Sequence, residues 1–265
     1  MRQPIFHKAL ITGASAGLGE EYAKQLAVLG TDLILVARRL ERLQELAAEL
    51  TREYGVQTEV LAADLSREED IQKVVQKIID TPDLDLLINN AGFGGKGKFI
   101  EDREGEAEQM IKVHVLAPVV LTRAALPAMQ KNKRGAVVNV ASVAAFSPFS
   151  GAMYSSTKAF LVMFSENLQS ELLGTGIKIQ ALCPGLTHTE FHQVAGMKVE
   201  AIPEILWMAA EQVVRISLKA LGQNKVIIIP GWQNKIITFF MRCPLTYRLV
   251  RWATKQKWLR ERANL

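Results

Sequence analysis

The chain is poor in cysteine, histidine and aromatic side chains. Only two cysteines, Cys183 and Cys243, and four histidines occur among 265 residues, and aromatics make up 7%. Two thiols so placed have neither metal-ligand spacing nor enough partners for a disulfide framework, so no zinc-stapled or disulfide-built fold is expected, and no metal. No apolar run approaches the ~20 residues that a membrane span needs. The first strand is expected near His7, which leaves no room for a signal peptide. These absences together point to a cytoplasmic protein. No internal repeat and no low-complexity linker divide the chain. A general excess of charge is missing too. The net charge of +5 is concentrated beyond residue 230, where eight basic residues face one acid, Glu261. That stretch carries +7 and leaves −2 for everything before it, so the body has no nucleic-acid footprint. What is present is an ordinary globular composition, 49% hydrophobic and 22% charged, in a length that suits one domain with a sizeable core.

Strand and helix patterns alternate along that length. Short apolar runs at 8–12, 32–37, 57–62, 84–89, 136–141, 178–182 and 226–229 read as strands. Helical spacing covers 19–29, 41–54 and 68–80, the last with Ser66 as its N-cap. A long helical region follows at 105–130, which Pro118 and Pro127 are expected to interrupt or bend. Further helices run from Tyr154 to about 173 and over 211–221. Such βαβα alternation predicts an α/β fold, a parallel sheet covered by helices on both faces. One domain is expected over 1–230, with an extension over 231–265. Ligands of such sheets bind beyond the carboxyl ends of the strands, and the motifs of this chain fall there.

Thr12-Gly13-Ala14-Ser15-Ala16-Gly17-Leu18-Gly19 follows the first strand and opens a helix. Its G-x-x-x-G-x-G spacing is a variant of the dinucleotide fingerprint. Glycines allow a tight turn and a close approach to a pyrophosphate, and the helix start favours an anion. The second strand ends Val36-Ala37-Arg38-Arg39 with no acid to hold two ribose hydroxyls. Arg38, with Arg39 beside it, is suited to a 2′-phosphate instead, which favours NADP(H) over NAD(H). The third strand ends Ala63-Asp64-Leu65. Asp64 either bonds an adenine amino group or caps the next helix. The fourth ends Asn89-Asn90-Ala91-Gly92, where small residues leave room for a cofactor and an amide bridges backbone groups. Twelve residues after Ser142, Tyr154 and Lys158 stand four apart on one helix face. A nearby positive charge favours the ionised form of a phenol whose ordinary pKa is about 10.

Taken in order, Thr12–Gly19, Asp64, Asn89–Gly92, Ser142, Tyr154, Lys158 and Pro184-Gly185 give a sequence that resembles a single-domain short-chain dehydrogenase/reductase over about residues 5–230. The resemblance implies a Rossmann-type doubly wound fold with a seven-stranded sheet. It also implies hydride transfer between a nicotinamide and a carbonyl or alcohol, and a homodimer or homotetramer. By position, Tyr154 resembles the general acid/base and Lys158 the group that lowers its pKa and holds the nicotinamide ribose. Ser142 resembles the donor to the substrate oxygen. Pro184, Gly185 and Thr187 resemble the contacts to the nicotinamide amide. One position departs from the family pattern. His114, in Lys112-Val113-His114-Val115-Leu116-Ala117-Pro118, stands where many members carry an asparagine that supports a water chain to the lysine. A neutral imidazole has the same one donor and one acceptor, and a pKa near 6.5 would add a pH sensitivity. The alternative is a helix histidine bonded to backbone or water. A broken relay would instead make the chain an NADP(H)-binding sensor or scaffold with little turnover.

Residues 187–210 are expected to cover a substrate. Phe191, Met197, Ile202, Ile205, Leu206, Trp207 and Met208 make that lid apolar, and Phe93, Phe146 and Phe149 add to the pocket. A hydrophobic carbonyl substrate follows. The extension interleaves basic residues with Ile236, Phe239, Phe240, Leu245, Trp252 and Trp258, and Pro244 divides it into two expected short helices. A basic amphipathic segment is suited to peripheral contact with a membrane surface. The competing use is closure of the pocket or packing on a second subunit.

Overall fold

The computed structural model describes residues 6–95, 99–101, 105–147, 150–191, 202–223 and 225–242. Strand β1 (Lys8–Thr12) leads through helix α1 (Gly17–Val28) to β2 (Asp32–Ala37), then α2 (Leu40–Tyr54), β3 (Thr58–Ala62), α3 (Glu68–Ile79) and β4 (Leu86–Asn89). Helix α4 (Glu106–Ile111), a π turn (Lys112–Leu116) and α5 (Ala117–Lys131) follow, then β5 (Gly135–Val140), α6 (Ala152–Glu171) and β6 (Ile177–Leu182). The remaining elements are β7 (Thr187–His188), β8 (Met208–Ala209), α7 (Ala210–Ala220), β9 (Ile227–Ile228) and α8 (Trp232–Arg242). Seven strands pair in the order β3-β2-β1-β4-β5-β6-β9, and every pairing is parallel. This is the expected Rossmann-type sheet, doubly wound outward from the β1–β4 junction, and strand limits lie within two residues of those read from the sequence. The pair β7–β8 is a second, two-stranded sheet inside the expected lid, unforeseen because two-residue strands carry no period.

Alternate residues of the strands feed two apolar layers. Ala9, Ile11, Leu33, Leu35, Leu86, Ile88 and Val138 pack with Leu26 of α1, Leu43 and Leu50 of α2, and Val213 and Val214 of α7. Leu10, Ile34, Val36, Leu87, Val137 and Ile179 pack with Ile71 and Val74 of α3 and Leu121, Ala125 and Met129 of α5. Both faces are buried, which is why the strands read as continuous apolar runs rather than alternating ones. Each such Leu, Ile or Val contributes about 1.5–3 kcal/mol by leaving water.

Two local expectations change. Ser66 does not cap α3; the N-cap is Arg67, without a side-chain bond. The Ser66 N–H and Oγ–H donate instead to Asp64 Oδ1, at 3.0 and 2.8 Å. The long helical region is broken by the π turn rather than bent at both prolines. Pro118 has no N–H for the carbonyl of His114 four residues back, and its ring crowds that carbonyl, so the helix widens just before it. Pro127 is absorbed within α5. The 106–131 run is long and apolar enough to cross a membrane, yet its buried line Met110, Val113, Ala117, Leu121, Ala125 and Met129 packs on the core. The second expected tail helix, Pro244, Met197, Phe149 and residues 96–98 lie outside the described residues.

Candidate active site

The glycine segment turns back over β4 as its spacing requires. Gly13 and Gly17 have φ of +67° and +58°, a region that only glycine enters without cost. A Cβ on Gly13 would meet Ala91 Cα at 2.9 Å, and one on Gly19 would overlap the Gly13 carbonyl. Asn90 fixes the turn: its Nδ2 donates to the carbonyls of Thr12 and Gly13 at 2.9 and 3.1 Å. Thr12 Oγ1 in turn accepts the Asn90 and Ala91 N–H groups at 3.0 Å. Helix α1 starts after Ala16, which gives it no side-chain cap. Its first N–H groups therefore stay available to an anion. The cradle fits a dinucleotide pyrophosphate.

At the adenosine end the two arginines separate. Arg38 is exposed and makes no ion pair among the described residues. Arg39 arches over the cradle, donating from Nε to Ser15 Oγ at 3.2 Å and from Nη2 to the Ser15 carbonyl at 3.1 Å. It also pairs with Glu190 at 3.1 Å, and Arg42 approaches the same carboxylate at 3.8 Å. Thr189 packs against Gly17, so the segment after β7 reaches across the cradle. Asp64 serves as the turn cap described above, its N–H donating to Asp70, and Leu65 is core.

The catalytic candidates meet at the carboxyl ends of β4, β5 and β6. Ser142 follows β5 and caps the 143–146 turn, its Oγ accepting the Ala144 N–H at 3.1 Å. The Tyr154 phenol lies close to the Ser142 side chain. Burial of the phenol raises its pKa to about 12, and the nearby Ser142 hydroxyl opposes that rise. Lys158, 4% exposed, donates from Nζ to the Val140 carbonyl at 2.8 Å. Burial lowers its pKa to about 8. This alters the expected electrostatics. Lys158 Nζ lies 5.7 Å from the Tyr154 ring centroid, and burial, not the lysine, dominates the phenol. A buried chain holds the sheet to α6: Asn89 Nδ2 donates to Asn139 Oδ1 at 2.8 Å and to Thr122, and Asn139 Nδ2 donates to Ser165 at 2.9 Å. The sequence hinted at this chain only by asparagines inside apolar strands.

His114 sits in the π turn and is fully buried. Its Nε2 accepts the Phe93 N–H at 3.0 Å, so the proton resides on Nδ1, which donates to Thr157 Oγ1 at 3.1 Å. Thr157 Oγ1 in turn donates to the Tyr154 carbonyl at 3.0 Å. Burial, then the charge of Lys158, holds the imidazole well below its usual range. The expected pH sensitivity near 6.5 is therefore wrong: a group with both nitrogens committed and a cation nearby stays neutral. A Cβ on Gly92 would sit 3.0 Å from His114 Nε2 and 3.4 Å from Lys158 Nζ, which explains the glycine.

On the far side, Pro184 accepts the Val143 N–H, and Thr187 Oγ1 donates to the Gly185 carbonyl at 3.0 Å. Phe191 lies 5.9 Å from the Tyr154 ring, and Trp207 stacks on His188 at 4.8 Å. Ile205 is exposed, and Met208 joins the core. Sequence reasoning missed one wall. Asn234 of α8 is buried and presses on Gly185, where a Cβ would overlap its side chain. Gly231, at φ +84°, starts that helix, but no spacing links Asn234 to Gly185.

Fold and site define a nucleotide-binding oxidoreductase of Rossmann type. The family model for short chain dehydrogenase matches residues 7–200, and the chain belongs to the short-chain dehydrogenase/reductase family. It is 39% identical over 189 residues to a Schizosaccharomyces pombe protein described as NADP-dependent 3-hydroxy acid dehydrogenase, covering 70% of this chain and 73% of that one. It is 32% identical over 192 residues to the very-long-chain 3-oxoacyl-CoA reductase of Anas platyrhynchos, covering 71% of this chain and 62% of the duck protein, under two thirds of its length. The solved short-chain dehydrogenase from Sphingobium yanoikuyae in complex with NADPH superposes with a TM-score of 0.82, at 34% identity over 96% of this chain and 95% of that one.

Proposed function

We propose that the chain is an NADP(H)-preferring reductase of hydrophobic carbonyl compounds. The observation that carries this reading is the convergence of Ser142, Tyr154 and buried Lys158 at the carboxyl ends of the strands, beside the glycine cradle. A bound nicotinamide supplies the hydride; the protein supplies position and proton. Gly13, Ser15, Gly17, Leu18, Gly19, Asn90, Ala91 and Gly92 would hold the dinucleotide, with Arg38 and Arg39 near a 2′-phosphate. Ser142 donates to the substrate oxygen. Tyr154, whose raised pKa keeps it protonated at neutral pH, gives its proton to the oxygen as it becomes an alkoxide. Lys158 carries a positive charge beneath the phenol and holds the ribose side of the site. Phe191 and Trp207 supply an apolar wall. NADP-dependent and NADPH-bound relatives support the cofactor preference, and the acyl reductase supports an apolar substrate.

A homodimer or homotetramer is part of the proposal. Ile111, Leu116, Phe160 and Met163 are exposed along the helical run from α4 and on α6. So is peripheral contact with anionic membrane through 231–265, supported by the exposed Trp232, Ile236, Phe239 and Phe240 of α8.

The test is titration with NADPH and NADH, then turnover on a panel of aldehydes and ketones, for the parent and Tyr154→Phe. Turnover should fall by about 10²–10⁴-fold with NADPH binding largely retained. A variant as active as the parent removes Tyr154 from the proton role. Tight NADPH binding by a parent that reduces no carbonyl would favour a nucleotide sensor.

A further inference from the structure

Helix α8 is amphipathic in an unusual sense. Its outward residues are Trp232, Ile236, Phe239 and Phe240, while its buried ones are Asn234 and Thr238. Apolar side chains face out and polar ones face the protein. Asn234, Thr238 and Arg242 are spaced by four and form one line along the helix. Both ends of that line touch the borders of the active site. Asn234 presses on Gly185, and its Nδ2 is anchored to the Pro230 carbonyl at 2.8 Å. Arg242 lies with Cζ 5.1 Å from the centre of the Phe146 ring, in the turn that Ser142 caps. The two borders are themselves joined, because Val143 N–H donates to the Pro184 carbonyl at 3.0 Å. Thr238 lies midway between these contacts. Its side-chain oxygen is buried and has no hydrogen-bond partner, which costs stability unless a ligand completes it.

The charge at the end of the line is also uncommitted. Among the described residues no carboxylate pairs with Arg242. The guanidinium stacks on an aromatic face, an arrangement that leaves its in-plane N–H donors free for an anion. Its positive charge is felt at the Cys183 thiol, at the end of β6.

We infer that α8 forms the far wall of the substrate site and that Arg242 takes an anionic group, a carboxylate, carried by the carbonyl substrate, with the Thr238 hydroxyl as a neutral contact between that group and the reacting end. Apolar Phe191, 5.9 Å from the Tyr154 ring, flanks the reacting end. This inference rests on the reductase reading and narrows its substrate class to oxo acids.

The experiment pairs a series of oxo acids of increasing chain length with their methyl esters, using NADPH and the parent, Arg242→Leu, Arg242→Lys and Thr238→Val. The parent should prefer the best acid over its ester by about tenfold in kcat/KM, the size of one charge-assisted bond at a half-open site. Arg242→Leu should erase that preference through KM, leaving ester kinetics and NADPH binding unmoved. Arg242→Lys should restore part of it. Thr238→Val, which removes an unpaired buried hydroxyl, should hold or raise Tm while raising KM for the acid. A parent that reduces acid and ester equally well overturns the inference and leaves the reductase reading standing. So does an Arg242→Leu variant that loses both substrates alike. A parent that reduces neither sinks the reductase reading, and the inference with it.

Discussion

Lys158 is an ammonium group held where water does not reach, and its proton is loose as a result. Its pKa is lowered from 10.5 to about 8 by burial. Below about 8 the folded and unfolded chains both carry the charge, and the folded state bears the whole desolvation cost. Between about 8 and 10.5 the unfolded chain binds more protons, so the contribution of this site to stability rises with pH. Lys158→Met removes that dependence. The Tm of the parent should gain on that of the variant between about pH 7 and about pH 10, read by thermal melts in matched buffers. A gap that does not move with pH would place the lysine in contact with water. Turnover of the parent should decline over the same range as the charge under Tyr154 is lost. The residues that lend themselves to such arguments were legible because their chemistry is local: tyrosine, lysine and serine at fixed offsets on one helix and one strand end. His114 was legible as a departure from a pattern but not as to its state. Its neutrality follows from Phe93, Thr157 and Lys158, which meet only in the fold.

At the scale of elements, strands and helices followed from their periods, and the Gly13–Gly19 turn from its place between them. What the periods could not give was contact between elements far apart in the chain. Glu190 is the clearest case, 151 residues from Arg39 and bonded to it. The carboxylate occupies Arg39, one of the two arginines proposed for a 2′-phosphate, so it would compete with the phosphate there. Glu190→Gln should therefore lower the Kd for NADPH about two- to fivefold, the scale of one partly exposed ion pair, and leave NADH unchanged. Fluorescence titration of both cofactors decides it; equal changes for the two would show that Glu190 acts on lid position rather than charge. The π turn belongs to the same scale. Two prolines in one helical stretch look alike in sequence, yet Pro118 widens the helix and Pro127 does not. Pro118 alone falls where the helix must deliver His114 to the site.

For the whole molecule, charge is the property that sequence and structure both display. A body near neutrality carries a strongly basic extension, and α8 within it shows aromatic side chains to solvent. The full chain should sediment with anionic vesicles and not with neutral ones, each basic residue near the surface contributing about 1 kcal/mol. Added salt should weaken the binding as the charges are screened. A full chain that ignores anionic vesicles leaves α8 to packing alone. The sheet also has a temporal side. Translation delivers the glycine cradle first and six of the seven strands before residue 191, while β9 and α8 come later. Until β9 arrives, β6 is an open edge: the Ala181 and Cys183 N–H groups that finally donate to Val226 and Ile228 have no mate. Such an edge recruits other strands. A chain that ends between residues 191 and 226 would therefore present β6 as an unpaired edge and aggregate more readily than the full chain.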